Sequence, residues 1–511
     1  MIDPSVATAS PVKWAKVIDH TKCIGCHACS TACKSENQVP LSVNRTYVKY
    51  VDVGVFPQAR RAFQVTRCNQ CDHAPCAEIC PTAAMHARAD GIVDFDKSLC
   101  IGCKACIAAC PYDAIFINPE DHSAEKCNFC AHRLAVGLEP ACVTVCPTEA
   151  IQVGNLNDPT SAVSQIVGRH PVAVRRPEKA TRPKLFYRGA HQATLDPLAA
   201  RRPEGDIFMW SEHGRVSHHI TSGHPDRNNT SATAVLAYDV PHRVPWDWRL
   251  SLYTWTKGIA AGAYLVPAFL VLLGFLPSTS PLWQWGTPIV AGVFLALTGL
   301  ILIADLEHPG RFYYILTRPQ MKSWLVRGAY IISLYALVLV LHFAAGFSVW
   351  GTTLRKALLL FGLPLGALTA VYTAYLFAQA TARDLWQNPL LPAHLLIQAL
   401  IAGSAVLLLG VMWVETTSGS PLAWVLSFTS LLHVLLVGSE VTLAHPTAHA
   451  RLAAEEMTYG TYRVYFWAGL GLVSFGLAAP WFGGVVAVCT LIGLLAHEHA
   501  YVQAGQSIPL A

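Results

Sequence analysis

The sequence predicts two dissimilar parts: a small α+β domain organised by cysteines, then an all-α domain of eight membrane-spanning helices. Sixteen of the 17 cysteines lie between Cys23 and Cys146. Residues 251–511, by contrast, carry only 10 of the 37 Lys and Arg residues and 8 of the 32 Asp and Glu residues. Charged residues make up 14% of the chain, whereas soluble domains average about 25%. This composition excludes a purely soluble protein, and the net charge of +5 is too small to indicate nucleic-acid binding.

The sixteen cysteines form four groups with short, regular spacing. The groups are Cys23, Cys26, Cys29 and Cys33 (I); Cys68, Cys71, Cys76 and Cys80 (II); Cys100, Cys103, Cys106 and Cys110 (III); and Cys127, Cys130, Cys142 and Cys146 (IV). Three thiolates on one tight loop reach three irons of a [4Fe–4S] cluster, and the fourth cysteine ligates the other cluster in two-cluster proteins. Zinc sites prefer separated ligand pairs, and the repeated close spacing disfavours disulfides. The pattern therefore predicts four [4Fe–4S] clusters that carry electrons.

Two motifs in this half, Ile18–Cys26 (IDHTKCIGC) and Gly91–Asp96 (GIVDFD), indicate a family. Together with the cysteine groups, they make residues 12–152 resemble the four-cluster ferredoxin-type electron-transfer subunits of the dimethyl sulfoxide and polysulfide reductase family. The resemblance implies a ferredoxin-like α+β fold of two paired bacterial-ferredoxin units. Some relatives replace the second cysteine of group III and hold a three-iron cluster. Cys103 is present here, so we expect four irons at that site.

The same resemblance implies which cysteines share a cluster, because groups I and IV pair in the family, as do groups II and III. The implied sets are set 1 (Cys23, Cys26, Cys29, Cys146), set 2 (Cys33, Cys127, Cys130, Cys142), set 3 (Cys68, Cys71, Cys76, Cys110) and set 4 (Cys80, Cys100, Cys103, Cys106). Set 4 is expected nearest the membrane.

Composition suggests where these parts begin and end. We expect the cluster domain over residues 1–155, an Arg- and Pro-rich linker and interface segment over 156–250, and the membrane domain over 251–511. The linker is expected to be extended and solvated, wrapping a partner subunit or the cluster domain. Trp246 and Trp248 precede the first apolar run, and tryptophan concentrates where membrane meets water.

Eight apolar runs have the length of a membrane-spanning helix. They cover about 252–276, 286–304, 325–347, 357–380, 391–411, 422–442, 463–479 and 482–500. Pro480 alone marks the turn between the last two. An even number of spans places both ends of this half on the side of the cluster domain.

The short loops predict which side that is, because Lys and Arg concentrate on the cytoplasmic side. Seven lie on the side of the cluster domain: Arg311, Arg318, Lys322, Arg327, Arg383, Arg451 and Arg463. Only Arg355 and Lys356 lie on the far side. The N-terminus shows no apolar signal core and no twin arginine. We therefore expect a bacterial inner-membrane protein whose cluster domain faces the cytoplasm.

Two motifs in the membrane half carry a second resemblance. Residues 252–262 (LYTWTKGIAAG) and 305–312 (DLEHPGRF), followed by Ser323 through Gly328, resemble the NrfD/polysulfide-reductase-type quinone subunits. The resemblance implies a site for ubiquinone or menaquinone in this region, near the last cluster. Charged groups at membrane depth are functional candidates, and the candidate quinone residues are Tyr253, Trp255, Lys257, Asp305, His308 and Arg311. Alternatively, Asp305 and Arg311 pair with each other and cap helix ends.

Other polar residues in the apolar runs leave two interpretations open. They are Gln379, His394, Gln398, Glu415, His433, Glu440 and His445. Glu440 and His433 suggest a proton path, whereas most such groups make hydrogen bonds between helices. No pair of histidines at matching depth predicts haem, which we do not expect. Cys489, alone in an apolar helix, is expected to serve packing.

These expectations combine into one functional hypothesis. The chain is predicted to be the electron-transfer and membrane-anchor subunit of an oxidoreductase, with substrate catalysis in a separate molybdopterin-containing subunit and no catalytic residue of its own. A cytoplasmic cluster domain favours sulfite oxidation by that partner, then formate oxidation, then polysulfide or thiosulfate conversion. The alternative is a module of a quinol-oxidising complex akin to alternative complex III, in which such subunits move protons.

Overall fold

The computed structural model describes residues 12–54, 57–201, 234–414 and 419–510. They form two compact units. The first ends at Arg243 and includes Pro509 and Leu510, and the second runs from Val244 to Ile508. Glu415, one of the polar residues considered above, lies outside the described residues.

The described strands of the first unit are β1 (Trp14–Asp19), β2 (Thr46–Val53), β3 (Arg60–Arg67), β4 (Met85–Ala87), β5 (Val93–Phe95), β6 (Ile115–Ile117), β7 (Ala124–Lys126), β8 (Ile151–Asn155), β9 (Val172–Ala173), β10 (Leu185–Arg188) and β11 (Val235–Tyr238). Its described α-helices are α1 (Ala28–Glu36), α2 (Pro75–Ile79), α3 (Ala105–Ala109), α4 (Ala131–Leu134), α5 (Ala141–Thr144), α6 (Ala162–Arg169) and α7 (Gln192–Leu195).

Small sheets and short helices hold the first unit together. Strand β1 lies inside a four-stranded sheet of order β8-β1-β10-β9, antiparallel to β8 and parallel to β10. Strands β11, β2 and β3 form a second, antiparallel sheet. The hairpins β4–β5 and β6–β7 follow α2 and α3 respectively, each after an intervening cysteine and proline. This architecture confirms the predicted ferredoxin-like α+β class.

The loops of cysteine groups I and III repeat one backbone conformation. Gly25 and Gly102 have φ of +69° and +70°, a region that glycine enters without steric cost. The residues after the next cysteine, His27 and Lys104, have φ of +60° and +61° and begin α1 and α3. The two left-handed steps turn the chain so tightly that neighbouring cysteines of each group lie on one loop.

Part of the segment expected to be a linker is built into the first unit. Strand β10 pairs with β1 from Lys16 opposite Leu185 to Asp19 opposite Arg188, and β11 pairs with β2. Arg175 is 1% exposed and donates to the carbonyl of Leu510 at 2.9 Å. The described part of this segment is therefore ordered against the cysteine-bearing sheets, and the domain boundaries stay a prediction.

The α-helices of the second unit are α8 (Trp248–Leu272), α9 (Thr287–Ala304), α10 (Tyr314–Thr317), α11 (Trp324–Ala344), α12 (Gly351–Gln379), α13 (Leu391–Val414), α14 (Gly419–Thr442), α15 (Ala448–Thr458), α16 (Arg463–Ser474), α17 (Ala479–Phe482) and α18 (Gly484–Ser507). A 3₁₀ turn, Phe475–Ala478, joins α16 and α17 into one span.

Eight helical spans in the described residues are long and apolar enough to cross a membrane, as the sequence predicts. The turn between the last two spans differs from the expectation. Pro480 lies inside α17, in a first-turn position that proline tolerates. The chain reverses instead at Gly483, whose φ is +58°. Trp246 differs from the expectation that it lies where membrane meets water, because it is 4% exposed and packs against Trp386. Trp248 is 57% exposed.

Helix α8 is the central helix of the second unit. In its most apolar window 78% of the residues are buried, against 28% for the span that contains α9. It meets α13 where Gly262 and Gly403 face each other, and a Cβ built on Gly262 would lie 1.7 Å from the carbonyl oxygen of Ala399. Small residues let two membrane helices approach this closely, so α8 and α13 form the core that positions the polar groups described below.

Replacing Gly403 by valine is expected to separate these two helices. A Cβ at Gly403 would lie 2.0 Å from the backbone of Gly262, so we expect Gly403→Val to destabilise the unit by about 3 kcal/mol, as overpacking does. Thermal unfolding in detergent measures the change. Gly410→Val on the same helix is the control, because nothing lies within 4 Å of a Cβ there. Equal losses in both variants would contradict the close approach.

Candidate functional site

The structure brings the thiols of set 1 and set 4 around two cavities. Cys23, Cys26, Cys29 and Cys146 line a cavity of about 330 Å³. Cys80, Cys100, Cys103 and Cys106 line another of about 380 Å³. Backbone amides point at thiols of both sets, since Ala150 donates to Cys146 at 3.2 Å and Met85 donates to Cys80 at 3.4 Å.

Set 3 is also assembled from two cysteine groups. Burial raises the pKa of the Cys76 thiol well above its usual value, and its interactions with Cys68, Cys110 and Cys71 raise it further. Burial and the nearby Cys68 likewise raise the pKa of Cys110 to about 12. The last cysteine of group III therefore lies near cysteines of group II.

Set 2 contains a thiol in direct contact with buried cations. Burial, then Cys127 and Cys142, raise the pKa of Cys33 to about 12. Cys142 behaves in the opposite way. Burial raises the pKa of its thiol, but Arg67 and Lys16 outweigh that effect and lower it to about 7. Arg67 donates to the Cys142 sulfur at 2.9 Å, and Lys16 Nζ lies 3.7 Å from it.

The donor chemistry of the four sets fits iron–sulfur clusters. All sixteen cysteines are free thiols, and none forms a disulfide. Each set joins cysteines from two sequence groups, as paired clusters require. Amide hydrogen bonds to the sulfurs are a normal feature of such sites and tune their potentials.

Replacing Arg67 by glutamine is expected to lower the potential of the set 2 cluster. A buried cation stabilises the extra electron, and its removal corresponds to on the order of 100 mV at the effective dielectric of protein sites. Redox titration followed by electron paramagnetic resonance measures the shift. Arg61→Gln is the matched control, because Arg61 lies on the same strand but is 49% exposed and pairs with Asp52. Unchanged potentials in Arg67→Gln would refute this role.

In the second unit, two of the predicted quinone residues meet at a buried polar cluster. Lys257 is 1% exposed, and its Nζ donates to Thr373 Oγ1 at 2.7 Å and to the Ala370 carbonyl at 2.8 Å. Tyr253, one turn earlier on α8, hydrogen-bonds with Thr373 at 2.9 Å and with the Tyr372 hydroxyl. We call Tyr253, Lys257, Tyr372 and Thr373 the lysine cluster.

A carboxylate lies beside the lysine cluster. Glu498 of α18 is 5% exposed, interacts electrostatically with Lys257 and hydrogen-bonds with Thr254. Its other oxygen, Oε2, has no hydrogen-bond partner among the described residues. Glu498 and Thr254 also line a small, largely apolar cavity, whose wall includes Phe377 and Tyr501. An apolar cavity with a few convergent polar groups is the usual form of a small-molecule site.

The other predicted quinone residues lie elsewhere. Trp255 points away from Lys257, because its Nε1 donates to the Leu491 carbonyl at 3.0 Å and its ring meets Phe294. Asp305, His308 and Arg311 lie half-buried on the loop after α9. Arg249 donates to the carbonyl of Ala304 at 3.4 Å, which puts the start of this loop beside the first turn of α8.

Sequence reasoning missed Glu498, Tyr372 and Thr373. Glu498 stands between two histidines inside an apolar helix, and ionisable residues at membrane depth are a usable signal. Tyr372 and Thr373 gave no such signal, because neither is charged. Gln379 makes hydrogen bonds between polypeptide segments, the second of the two interpretations given above. Its side chain accepts from the Trp324 amide and donates to the Lys322 carbonyl, both at 2.8 Å.

Comparison with known proteins finds a family match for each of the two halves of the chain. The family model described as "4Fe-4S dicluster domain" matches residues 60–156, and "Polysulphide reductase, NrfD" matches residues 239–505. One chain of the polysulfide reductase of Wolinella succinogenes is 44% identical over 177 residues, which cover 34% of this chain and 93% of that protein. One subunit of the tetrathionate reductase of Salmonella typhimurium is 40% identical over 208 residues, which cover 39% of this chain and 80% of that protein.

A third relative, the arsenate respiratory reductase iron-sulfur subunit ArrB of a Shewanella species, is 36% identical over 224 residues, covering 34% of this chain and 96% of that protein. Each of these relatives covers less than two fifths of this chain, whereas the second family model spans more than half of it. The chain therefore belongs to the polysulphide reductase NrfD family of multi-pass membrane proteins, here fused to an iron–sulfur electron-transfer domain of the 4Fe-4S dicluster type.

Proposed function

We propose that this chain carries electrons between a molybdopterin-containing catalytic subunit and the quinone pool of the bacterial inner membrane. The observation that carries the proposal is that one chain joins four thiol sets to a membrane unit with a buried, cavity-adjacent lysine cluster. Sets 1 to 4 are assigned as ligands of four [4Fe–4S] clusters. When bound, these clusters act as one-electron carriers. Four of them in one domain serve the conduction of electrons and not only the stabilisation of the fold.

The quinone site is proposed at the lysine cluster and the adjoining cavity. A quinone exchanges electrons and protons together, so its site needs donors for a carbonyl oxygen and a group that holds a proton. Lys257 and Tyr253 supply donors in a dry environment, where hydrogen bonds are strong. Glu498, with one oxygen unpaired among the described residues, holds and transfers the proton. Asp305, His308 and Arg311 are proposed as a polar entrance, and Trp255 as a packing residue.

The partner subunit is proposed to oxidise sulfite in the cytoplasm. Support comes from the distribution of Lys and Arg in the short loops, which favours a cytoplasmic cluster domain. The names of two relatives, tetrathionate reductase and polysulfide reductase, fit a partner that acts on inorganic sulfur compounds. Formate, then polysulfide or thiosulfate, follow as substrates of the partner.

Purification of the tagged full-length chain from its native membranes tests the proposal. We expect a molybdopterin-bearing subunit to accompany it, sulfite to reduce the clusters in the complex, and an added quinone analogue to reoxidise them. Electron paramagnetic resonance follows both steps. Failure of quinone to reoxidise reduced clusters would refute the quinone function. Reduction by formate but not by sulfite would transfer the assignment to formate.

Location is tested separately with a reporter fused to the N-terminus. A reporter that is active only in the cytoplasm is expected to be active in this fusion. Activity of a periplasm-specific reporter at the same position would place the cluster domain outside and reverse the order of substrates.

A further inference from the structure

Three buried histidines from three different helices meet inside the membrane unit. They are His394 of α13, His433 of α14 and His497 of α18, and each is at most 4% exposed. One ring nitrogen from each lies within 4.8 Å of the others. His394 Nε2 and His433 Nδ1 are 3.0 Å apart, and the ring centroids of His433 and His497 are 4.8 Å apart. We call these three residues the histidine cluster.

The histidine cluster leaves buried nitrogens without partners. His433 Nε2 and both ring nitrogens of His497 have no hydrogen-bond partner among the described residues. A neutral imidazole always carries one N–H and one lone pair, so His497 has both an unsatisfied donor and an unsatisfied acceptor. Buried polar groups are nearly always paired, and a metal ion is a partner that pairs with imidazole lone pairs.

Glu440 supplies the outer partner that metal-binding histidines use. Its Oε2 lies 4.0 Å from His394 Nδ1, the ring nitrogen that faces away from the cluster, and its Oε1 accepts from Asn388 at 3.0 Å. In metal sites a carboxylate commonly holds the second ring nitrogen of a ligating histidine and so fixes the other nitrogen toward the ion. At 4.0 Å Glu440 lies beside His394 Nδ1 without a direct hydrogen bond, while Nε2 of the same ring is directed to His433.

We propose that the histidine cluster binds one divalent transition-metal ion. The ion it favours is Zn²⁺, ahead of the neighbouring metals of the first transition series. Imidazole is a preferred ligand of Zn²⁺, and Zn–N bonds of about 2.0–2.1 Å require ligand nitrogens about 3.3 Å apart in a tetrahedral site. Small side-chain rotations bring nitrogens within 4.8 Å to that separation. The buried carboxylate of Glu440, 4.0 Å from His394, offsets part of the ion's charge.

Such an ion would connect three membrane helices and lie near the cavity described above. His394 lines that cavity together with Glu498 and Gln398. Three protein ligands leave a fourth tetrahedral position for water or a carboxylate. The proposal is independent of the quinone assignment, because it concerns binding of an ion and not electron transfer.

Metal analysis of the full-length chain in its complex, purified through a tag without histidine, tests this inference. We expect one zinc per chain in addition to the cluster iron, and its loss in His433→Ala and His497→Ala. Should the ion be iron, total iron would exceed acid-labile sulfide by one per chain and return to equality in the same variants. His342→Ala is the matched control, because His342 is equally buried but bonds to the Trp283 carbonyl at 2.9 Å.

Cluster spectra and sulfide content show whether each variant has folded. Zinc X-ray absorption on the wild-type chain gives a result that needs no variant, with nitrogen neighbours at about 2.0 Å expected. Sulfur neighbours would place the zinc in a cysteine set and overturn the proposal. So would a wild-type chain that binds no metal beyond its clusters after equilibration with Zn²⁺, which is the result expected if the histidines hold only water or serve a proton path.

Discussion

Replacing Lys257 by methionine is expected to slow quinone-dependent reoxidation of the reduced clusters by about 100-fold, the effect of losing a charge-assisted hydrogen bond at a dry site. Lys257 is the buried cation of the lysine cluster, and its Nζ lies 2.7 Å from Thr373 Oγ1. Methionine keeps the length of the side chain but removes the donor. The rate is measured by stopped-flow spectroscopy in membranes, with clusters reduced beforehand by dithionite.

Lys322→Met is the control for this variant. Lys322 is exposed, and its backbone carbonyl, not its side chain, bonds to Gln379, so its loss is expected to leave the rate unchanged. Reduction of the clusters by the partner's substrate is expected to proceed normally in both variants. A wild-type reoxidation rate in Lys257→Met would refute the placement of the quinone site at the lysine cluster.

Replacing Cys76, Cys106 or Cys110 by serine is expected to remove one cluster each, in the pattern of the four sets. Loss of one cluster lowers the iron content from about 16 to about 12 atoms per chain and interrupts electron flow to quinone. The sharpest comparison uses Cys76, Cys106 and Cys110. Cys110→Ser is expected to lose the same paramagnetic signal as Cys76→Ser, because both cysteines belong to set 3, whereas Cys106 belongs to set 4.

Cys106→Ser, by contrast, is expected to lose a different signal, although Cys106 and Cys110 belong to one sequence group. Cys489→Ser controls for the substitution itself and should retain all the iron, since Cys489 lies in α18. If Cys106→Ser and Cys110→Ser lost the same signal, the crossed pairing of groups II and III would be wrong.

Spacing made the cluster domain predictable from sequence to an unusual degree. Sixteen cysteines within short intervals constrain both chemistry and fold, because each loop must turn tightly enough to aim its thiols. The apolar runs likewise predicted eight spans. Their ends were less certain: Pro480 breaks a pattern in sequence, but a first-turn proline is compatible with a helix, and the reversal occurs at Gly483.

The polar interior of the membrane unit was predictable only in part. Lys257 stands out because a cation in an apolar helix is rare. Its neighbours Tyr372 and Thr373 do not stand out, since hydroxyl groups are common in membrane helices. The meeting of the three residues of the histidine cluster depends on the rotation of three helices about their axes. Sequence periodicity alone does not specify those rotations when the helices are apolar on every face.

The matching backbone at Gly25–His27 and Gly102–Lys104 has a consequence for how this domain is constructed. The two loops have the same cysteine spacing and the same pair of left-handed residues, so they are two copies of one local structure. The cysteine-bearing unit thus uses one loop conformation twice, at two places along the chain. Differences between these two loops then reside in their surroundings, such as Arg67, which interacts with Cys29 of set 1, and not in the loop backbone.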